Sequence, residues 1–188
     1  MAMPLLRRRF TVEDYHRMAR AGILTEDDRV ELLEGEIVEM TPIGSRHAAC
    51  VDRLTRLLTS ALRDRVIVRV QSPIRLSQHS EPQPDLALLR PRPDFYVRAH
   101  PGPEDVLLVI EVAEASAEPD RAVKIPLYAR AGVPAAWLVE LAEERITGHE
   151  GPTPEGYRIV GELRRGDRLR LDPLPGLDLP VSEVLGAR

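Results

Sequence analysis

The chain contains no asparagine and a single lysine, Lys124. The rest of its 26 basic residues are arginine, a bias that suggests a GC-rich or heat-adapted source in which arginine replaces lysine wherever it can. Lys124 then marks a position where a guanidinium does not serve. An ammonium is compact and its pKa can fall on burial, so it can handle protons, whereas arginine stays charged. Drift leaves an isolated lysine equally well, so the neighbours of Lys124 must decide. Cysteine is almost as scarce. Cys50 on its own excludes an internal disulfide and fits a reducing cytoplasm; inside a helix-periodic segment it reads as a small core residue rather than a nucleophile. No apolar run approaches the roughly 20 residues of a membrane span. The opening MAMPLLRRRF sets its apolar residues before its charges, unlike a secretory signal. Internal repeats and low-complexity linkers are missing too. The 188 residues, 43% hydrophobic and 30% charged, are therefore expected to form one domain over residues 1–188, with a core from about residue 10 to 185.

What charge there is lies unevenly. Residues 26–39 carry Glu26, Asp27, Asp28, Glu31, Glu34, Glu36 and Glu39 against Arg29, and residues 52–75 carry Arg53, Arg56, Arg63, Arg65, Arg69 and Arg75 against Asp52 and Asp64. An acidic stretch suited to cations thus precedes a basic one suited to phosphates, although solvated element faces account for such charges individually.

Along the chain, Thr11-Val-Glu-Asp14 predicts a capping box opening a short helix that Gly22 closes. RVELLEGEIVEM, residues 29–40, reads as two strands around a turn at Glu34-Gly35. Ser45 is expected to cap the next helix, with Val51, Leu54, Leu57, Leu58, Ala61 and Leu62 at helical spacing. VIVRVQSPIRL, 66–76, alternates like a strand in which Pro73 implies an edge or a bulge. Asp85–Leu89 is a further strand, and residues 90–105 a proline-rich excursion. VLLVIEV, 106–112, is expected to be a strand buried on both faces. A helix over about 117–131 carries Pro126, which kinks it or marks its true first turn. AAWLVEL, 135–141, is another buried strand, and residues 145–171 read as antiparallel strands before the tail LPGLDLPVSEVL. This order predicts an α/β domain around a mixed sheet.

Two carboxylates stand where carboxylates are costly. Asp85 leads into the apolar run Leu86-Ala-Leu-Leu89 behind two prolines, and Glu111 is set near the end of VLLVIEV. Acids on neighbouring strands can converge on one point, and a hard divalent ion bound by carboxylates with open water positions suits phosphate chemistry. Lys124 lies on the helix leaving the Glu111 strand, which can fold back against the sheet. Taken alone, each acid is as well explained by an N-cap or an arginine partner.

FTVEDY, RVELLEGEIVEM, SRHAACVDRL, QPDLALL, VIEVAEAS and DRAVKIPLYARAGVPAAWLVEL closely resemble, in this order, blocks of the Uma2 family, a branch of the PD-(D/E)XK nuclease superfamily. The similarity runs from about Phe10 to the tail. It implies a restriction endonuclease-like core, a mixed β-sheet flanked by helices with additional antiparallel strands toward the C-terminus. It further implies a Mg²⁺- or Mn²⁺-dependent endonuclease that hydrolyses DNA phosphodiester bonds. Pro84-Asp85 matches the PD element and Glu111 the second acid. The superfamily pattern places lysine two residues after that acid, where this chain has Ala113; Uma2-like sequences carry it on the following helix, at the place of Lys124. Glu31 matches an upstream acid that joins the metal site, and Gln71 and His47 fall in recurrent blocks. The expected metal ligands are thus Glu31, Asp85 and Glu111, the catalytic group Asp85, Glu111 and Lys124, and the lining Gln71 and His47.

Two other readings remain. One is a catalytically silent nucleic-acid-binding or interaction module on the same fold, and the other a metal-dependent hydrolase of a different phosphoester. The net charge of −4 speaks against a tight general DNA binder. Cutting both strands of a duplex at once needs two sites, which makes a homodimer the expected assembly.

Overall fold

The computed structural model describes residues 8–25, 27–114, 117–118, 120–171 and 174–187. Glu26, Ala115, Ser116 and Pro119 of the stretches read above, and the first seven residues, lie outside them. Helix α1, Val12–Arg20, starts at N-cap Thr11, whose hydroxyl accepts from the amide of Asp14 while the Asp14 carboxylate accepts from the amide of Thr11. Strands β1 (Val30–Leu33) and β2 (Glu36–Glu39) form the expected hairpin. Its turn residues, Glu34 at φ 50° and Gly35 at φ 84°, have the two positive φ angles that a tight hairpin turn needs. A Cβ on Gly35 would stand 3.0 Å from the backbone of Arg9, in a conformation that L-residues resist. Gly35→Ala should therefore lower unfolding free energy by at least the ~1–2 kcal/mol of a left-handed residue, read as a drop in urea midpoint at unchanged slope.

Helix α2, Ser45–Leu62, buries Cys50, Val51, Leu54, Leu58 and Leu62, while Ala61 is exposed. Ser45 does not cap it. The N-cap is Gly44, without a side-chain bond, and the Glu114 carboxylate reaches across to accept from the His47 amide at 3.4 Å. An acid at the end of another strand thus serves the free amides that a local serine was expected to serve. Burial pushes the Cys50 thiol up to about 11, as befits a core residue.

The central sheet has six strands in spatial order β3 (Ile67–Val70), β4 (Leu86–Leu89), β5 (Val106–Ala113), β6 (Ala135–Glu140), β7 (Arg145–Thr153) and β8 (Gly156–Arg164). Only β5 and β6 run parallel, joined by a π-turn, Asp120–Lys124, and helix α3, Ile125–Arg130. Every other neighbouring pair is antiparallel, so the sheet is mixed as expected. β3 is shorter than the alternation suggests: Gln71 takes φ 42°, and the chain leaves the sheet before Pro73. It is an edge strand, as the proline required. Pro126 sits in the first turn of α3, where its missing amide is no loss. Strands β9 (Arg168–Arg170) and β10 (Asp178–Pro180) pair separately, and α4, Val181–Leu185, closes the described chain.

The sheet separates two apolar layers. One holds Leu54 and Leu58 of α2 with Leu86, Leu108, Ile110 and Val184; the other holds Ile125, Leu127 and Tyr128 of α3 with Ala87, Val109 and Ala113. Because side chains alternate along a strand, residues 85, 87, 109 and 111 belong to the α3 layer.

Candidate active site

Leu86 pairs with Ile110 in the antiparallel β4–β5 ladder, and one step further along that register sets Asp85 opposite Glu111. Both acids therefore leave the sheet on the α3 side, at its rim. Asp85 Oδ2 accepts from the Val112 amide at 2.9 Å, which fixes its carboxylate beside the strand that carries Glu111. His47 Nε2 meets the same oxygen at 3.0 Å, and Gln71 Nε2 donates to Oδ1 at 3.3 Å. The two residues known only from recurrent blocks thus both touch Asp85. The hydrogen bond to Asp85 raises the His47 pKa above its ordinary value although burial opposes it, and its Nδ1 is buried without a hydrogen-bond partner.

Lys124, at the end of the π-turn, is buried and reaches Glu31 Oε1 at 3.1 Å and Glu111 Oε1 at 3.3 Å. Glu31 comes from β1, and its other oxygen accepts from the Gln83 amide at 3.0 Å. Burial works against the ammonium, but Glu111, Glu31 and Asp120 outweigh it, so the lysine pKa is raised. This corrects the expectation that burial lowers it: the surrounding acids keep Lys124 a permanent cation and donor. Glu111 shows the converse. Burial pushes its carboxyl up to about 8, and Asp120 and Asp85 add to that against the pull of Lys124 and of a Tyr128 hydroxyl that donates to it.

Two site residues escaped the sequence reading. Tyr128 is fully buried, and its hydroxyl reaches Glu111 Oε1, the oxygen that Lys124 also contacts. Its spacing of four from Lys124 puts both on one side of their helical segment, a signal visible in KIPLY only once Lys124 is taken as functional. Asp120, at the start of the π-turn, is pushed up to about 6 by burial, with Asp85 and Glu31 adding to the shift. Replacing Tyr128 by Phe should raise the Glu111 pKa beyond about 8, because the lost donor favours the ionised form; carboxyl ¹³C titration reads the shift.

The Uma2 family model, described as "Putative restriction endonuclease", matches residues 12–182. The chain belongs to the Uma2 family. A crystal structure from Anabaena variabilis ATCC 29413, described as a "putative nuclease belonging to DUF820", superposes with a TM-score of 0.73 at 13% sequence identity. The match covers 94% of this chain and 97% of that one. The Uma2 chain thus has the restriction endonuclease-like fold expected of it. No curated protein matches this chain.

Whether a Uma2 site of this composition suits a metal can be judged from its donors. Among the described residues, no group of three or more His, Cys, Asp and Glu side chains is arranged to hold an ion. Glu31, expected as a third ligand, has its two oxygens on Lys124 and on the Gln83 amide. Asp85 and Glu111, opposite each other on one ladder, are engaged in the same way, Asp85 by the Val112 amide, His47 and Gln71 and Glu111 by Lys124 and Tyr128, so an ion would share or displace such contacts at any of the three acids. Two carboxylates completed by water fit Mg²⁺ or Mn²⁺, which keep several waters, better than they fit a cation needing a full protein cage. The raised pKa values of Glu111 and Asp120 come first from burial, with neighbouring acids adding to it against the pull of Lys124.

Proposed function

We propose that this chain is a nuclease that hydrolyses DNA phosphodiester bonds with Mg²⁺ or Mn²⁺ held by Asp85 and Glu111. The observation that carries the reading is the placement of the chain's only lysine, 3.3 Å from Glu111 and 3.1 Å from Glu31, at the rim where Asp85 faces Glu111. When bound, the ion would polarise the scissile phosphate and lower the pKa of a bound water. The residues of the chain do the rest. The Val112 amide, His47 and Gln71 hold the Asp85 carboxylate in place, and Tyr128 holds that of Glu111. Lys124, permanently protonated, positions the attacking water and offsets charge that builds on the phosphate oxygens. Glu31, from β1, orients the ammonium through its contact at 3.1 Å. Two copies working together would bring a site to each strand of a duplex, in the cytoplasm for which the lone buried thiol is suited.

One observation favours a second reading. Lys124 already bridges Glu31 and Glu111, which is also what a silent nucleic-acid-binding or interaction module would show. Titrating Mg²⁺ and Mn²⁺ against the parent and Asp85→Asn, with and without short DNA, separates the two. Metal-dependent cleavage that Asp85→Asn abolishes supports the nuclease. DNA binding without cleavage in either metal supports the module, and turnover of other phosphoesters alone would redirect the substrate.

A further inference from the structure

The two edges of the central sheet differ. β3 is four residues long and half-buried throughout, whereas β8 spans nine residues, Gly156–Arg164, and among the described strands pairs only with β7. Ile159 and Val160 at its middle are 63% and 58% exposed. Long exposed edges invite pairing with another strand, and proteins usually blunt them with lysine, proline or a covering element. Between residues 156 and 164 there is neither lysine nor proline.

The charges that β8 does carry suit a copy of itself. An antiparallel strand overlaps its own twin along its whole length in one register, which for Gly156–Arg164 places Val160 on the twofold axis. That register sets Arg158 opposite Glu162 of the second copy, and Glu162 opposite its Arg158. Tyr157 then faces Leu163, and Ile159 faces Gly161. Arg158, Val160 and Glu162 alternate onto one face, so the two ion pairs flank the paired valines. Sliding the strand by two residues, to centre on Gly161, would instead set Arg158 against Arg164. Glu162 contacts Arg145 at 3.1 Å and, more loosely, Arg164 at 3.8 Å within its own chain, yet its side chain is still 54% exposed and can exchange the looser contact for an arginine of the second copy.

From this complementarity we infer that β8 is a homodimer contact: two copies join β8 to β8 about Val160 and form one continuous twelve-stranded sheet. The inference does not depend on the chemistry proposed above. The test is a charge swap followed by sedimentation. The parent should sediment as a dimer. Arg158→Glu sets glutamate against glutamate at both pairs, and Glu162→Arg sets arginine against arginine, so each variant alone should sediment as a monomer that still unfolds in one cooperative thermal transition. Mixed in equal amounts, the two should form a heterodimer, since every cross-strand pair is then opposite in sign. Amide hydrogen exchange should show β8 protected in the parent and in the mixture, and exchanging in each single variant. A monomeric parent overturns the inference. So does a dimeric parent whose state neither variant changes, or a pair of monomeric variants that mixing fails to restore.

Discussion

Lys124→Arg should fold like the parent, keep its affinity for Mg²⁺, and lose roughly 10²-fold or more in cleavage rate, the scale for removing one positioned electrostatic group. Arginine keeps the charge and most of the aliphatic stem, so a lysine that serves only as a salt-bridge partner would be replaced at little cost. The geometry argues otherwise. The ammonium lies between carboxylates from two different strands, 3.1 Å from Glu31 and 3.3 Å from Glu111, on a side chain only 11% exposed. A planar guanidinium is longer and takes a carboxylate with two parallel bonds. In this position it would clasp Glu31 or Glu111 edge-on and leave no compact donor beside the water. Single-turnover cleavage of any DNA substrate that the parent cuts reads the effect. Undiminished rates in the variant would end the role assigned to Lys124.

The second large effect concerns Glu111→Gln without metal. The Glu111 carboxyl has its pKa raised from 4.5 to about 8 in the folded protein, so the folded state holds a proton that the unfolded state gives up earlier. Stability from this group is therefore greatest below about pH 4.5 and is lost as pH rises towards 8. At about 1.36 kcal/mol per pKa unit the loss has an upper bound of about 5 kcal/mol, the pull of Lys124 on the carboxylate being already contained in the raised value. The glutamine variant has no such proton. Its stability relative to the parent should rise steadily between pH 5 and pH 8, measured by urea unfolding in chelator. Mg²⁺ at about 100 times its Kd should then stabilise the parent at pH 8 by about 2.7 kcal/mol, and the variant by far less. A pH-independent difference between the two proteins would mean that Glu111 is ionised across the range, with Lys124 as its full counter-ion.

How far the sequence led is clearest where the signal is local. The Thr11 capping box, the Glu34-Gly35 turn, the apolar runs of β4 and β5 and the Pro126 helix start each follow from a few adjacent residues, and each is found where it was expected. Ser45 failed as a cap because Glu114, remote in sequence, took its place. The site divides in the same way. Asp85 and Glu111 stood out as acids in apolar company and Lys124 as the only one of its kind. Glu31, His47 and Gln71 came from family resemblance alone, and the structure brings Glu31 to Lys124 and the other two to Asp85. Tyr128 looked like one more core residue, since nothing in a linear pattern says where a buried hydroxyl points. The rise in the lysine pKa was equally hidden, because its sign depends on how many acids the fold gathers around it.

The π-turn before α3 has a bearing on how such a site changes over generations. A turn of this kind is what a helix forms when it absorbs one residue more than its regular ladder needs. Residues after it, Ile125, Leu127 and Tyr128, stay seated on the sheet; gain or loss of one codon ahead of them would swing Asp120 and Arg121 by about 100° around the axis. Arg121 is tied to Glu140 at the end of β6, so that swing would also exchange one anchor for another. Descendants of one ancestral gene can in this way redraw the polar residues ahead of Lys124 while inheriting the apolar layer behind it unaltered.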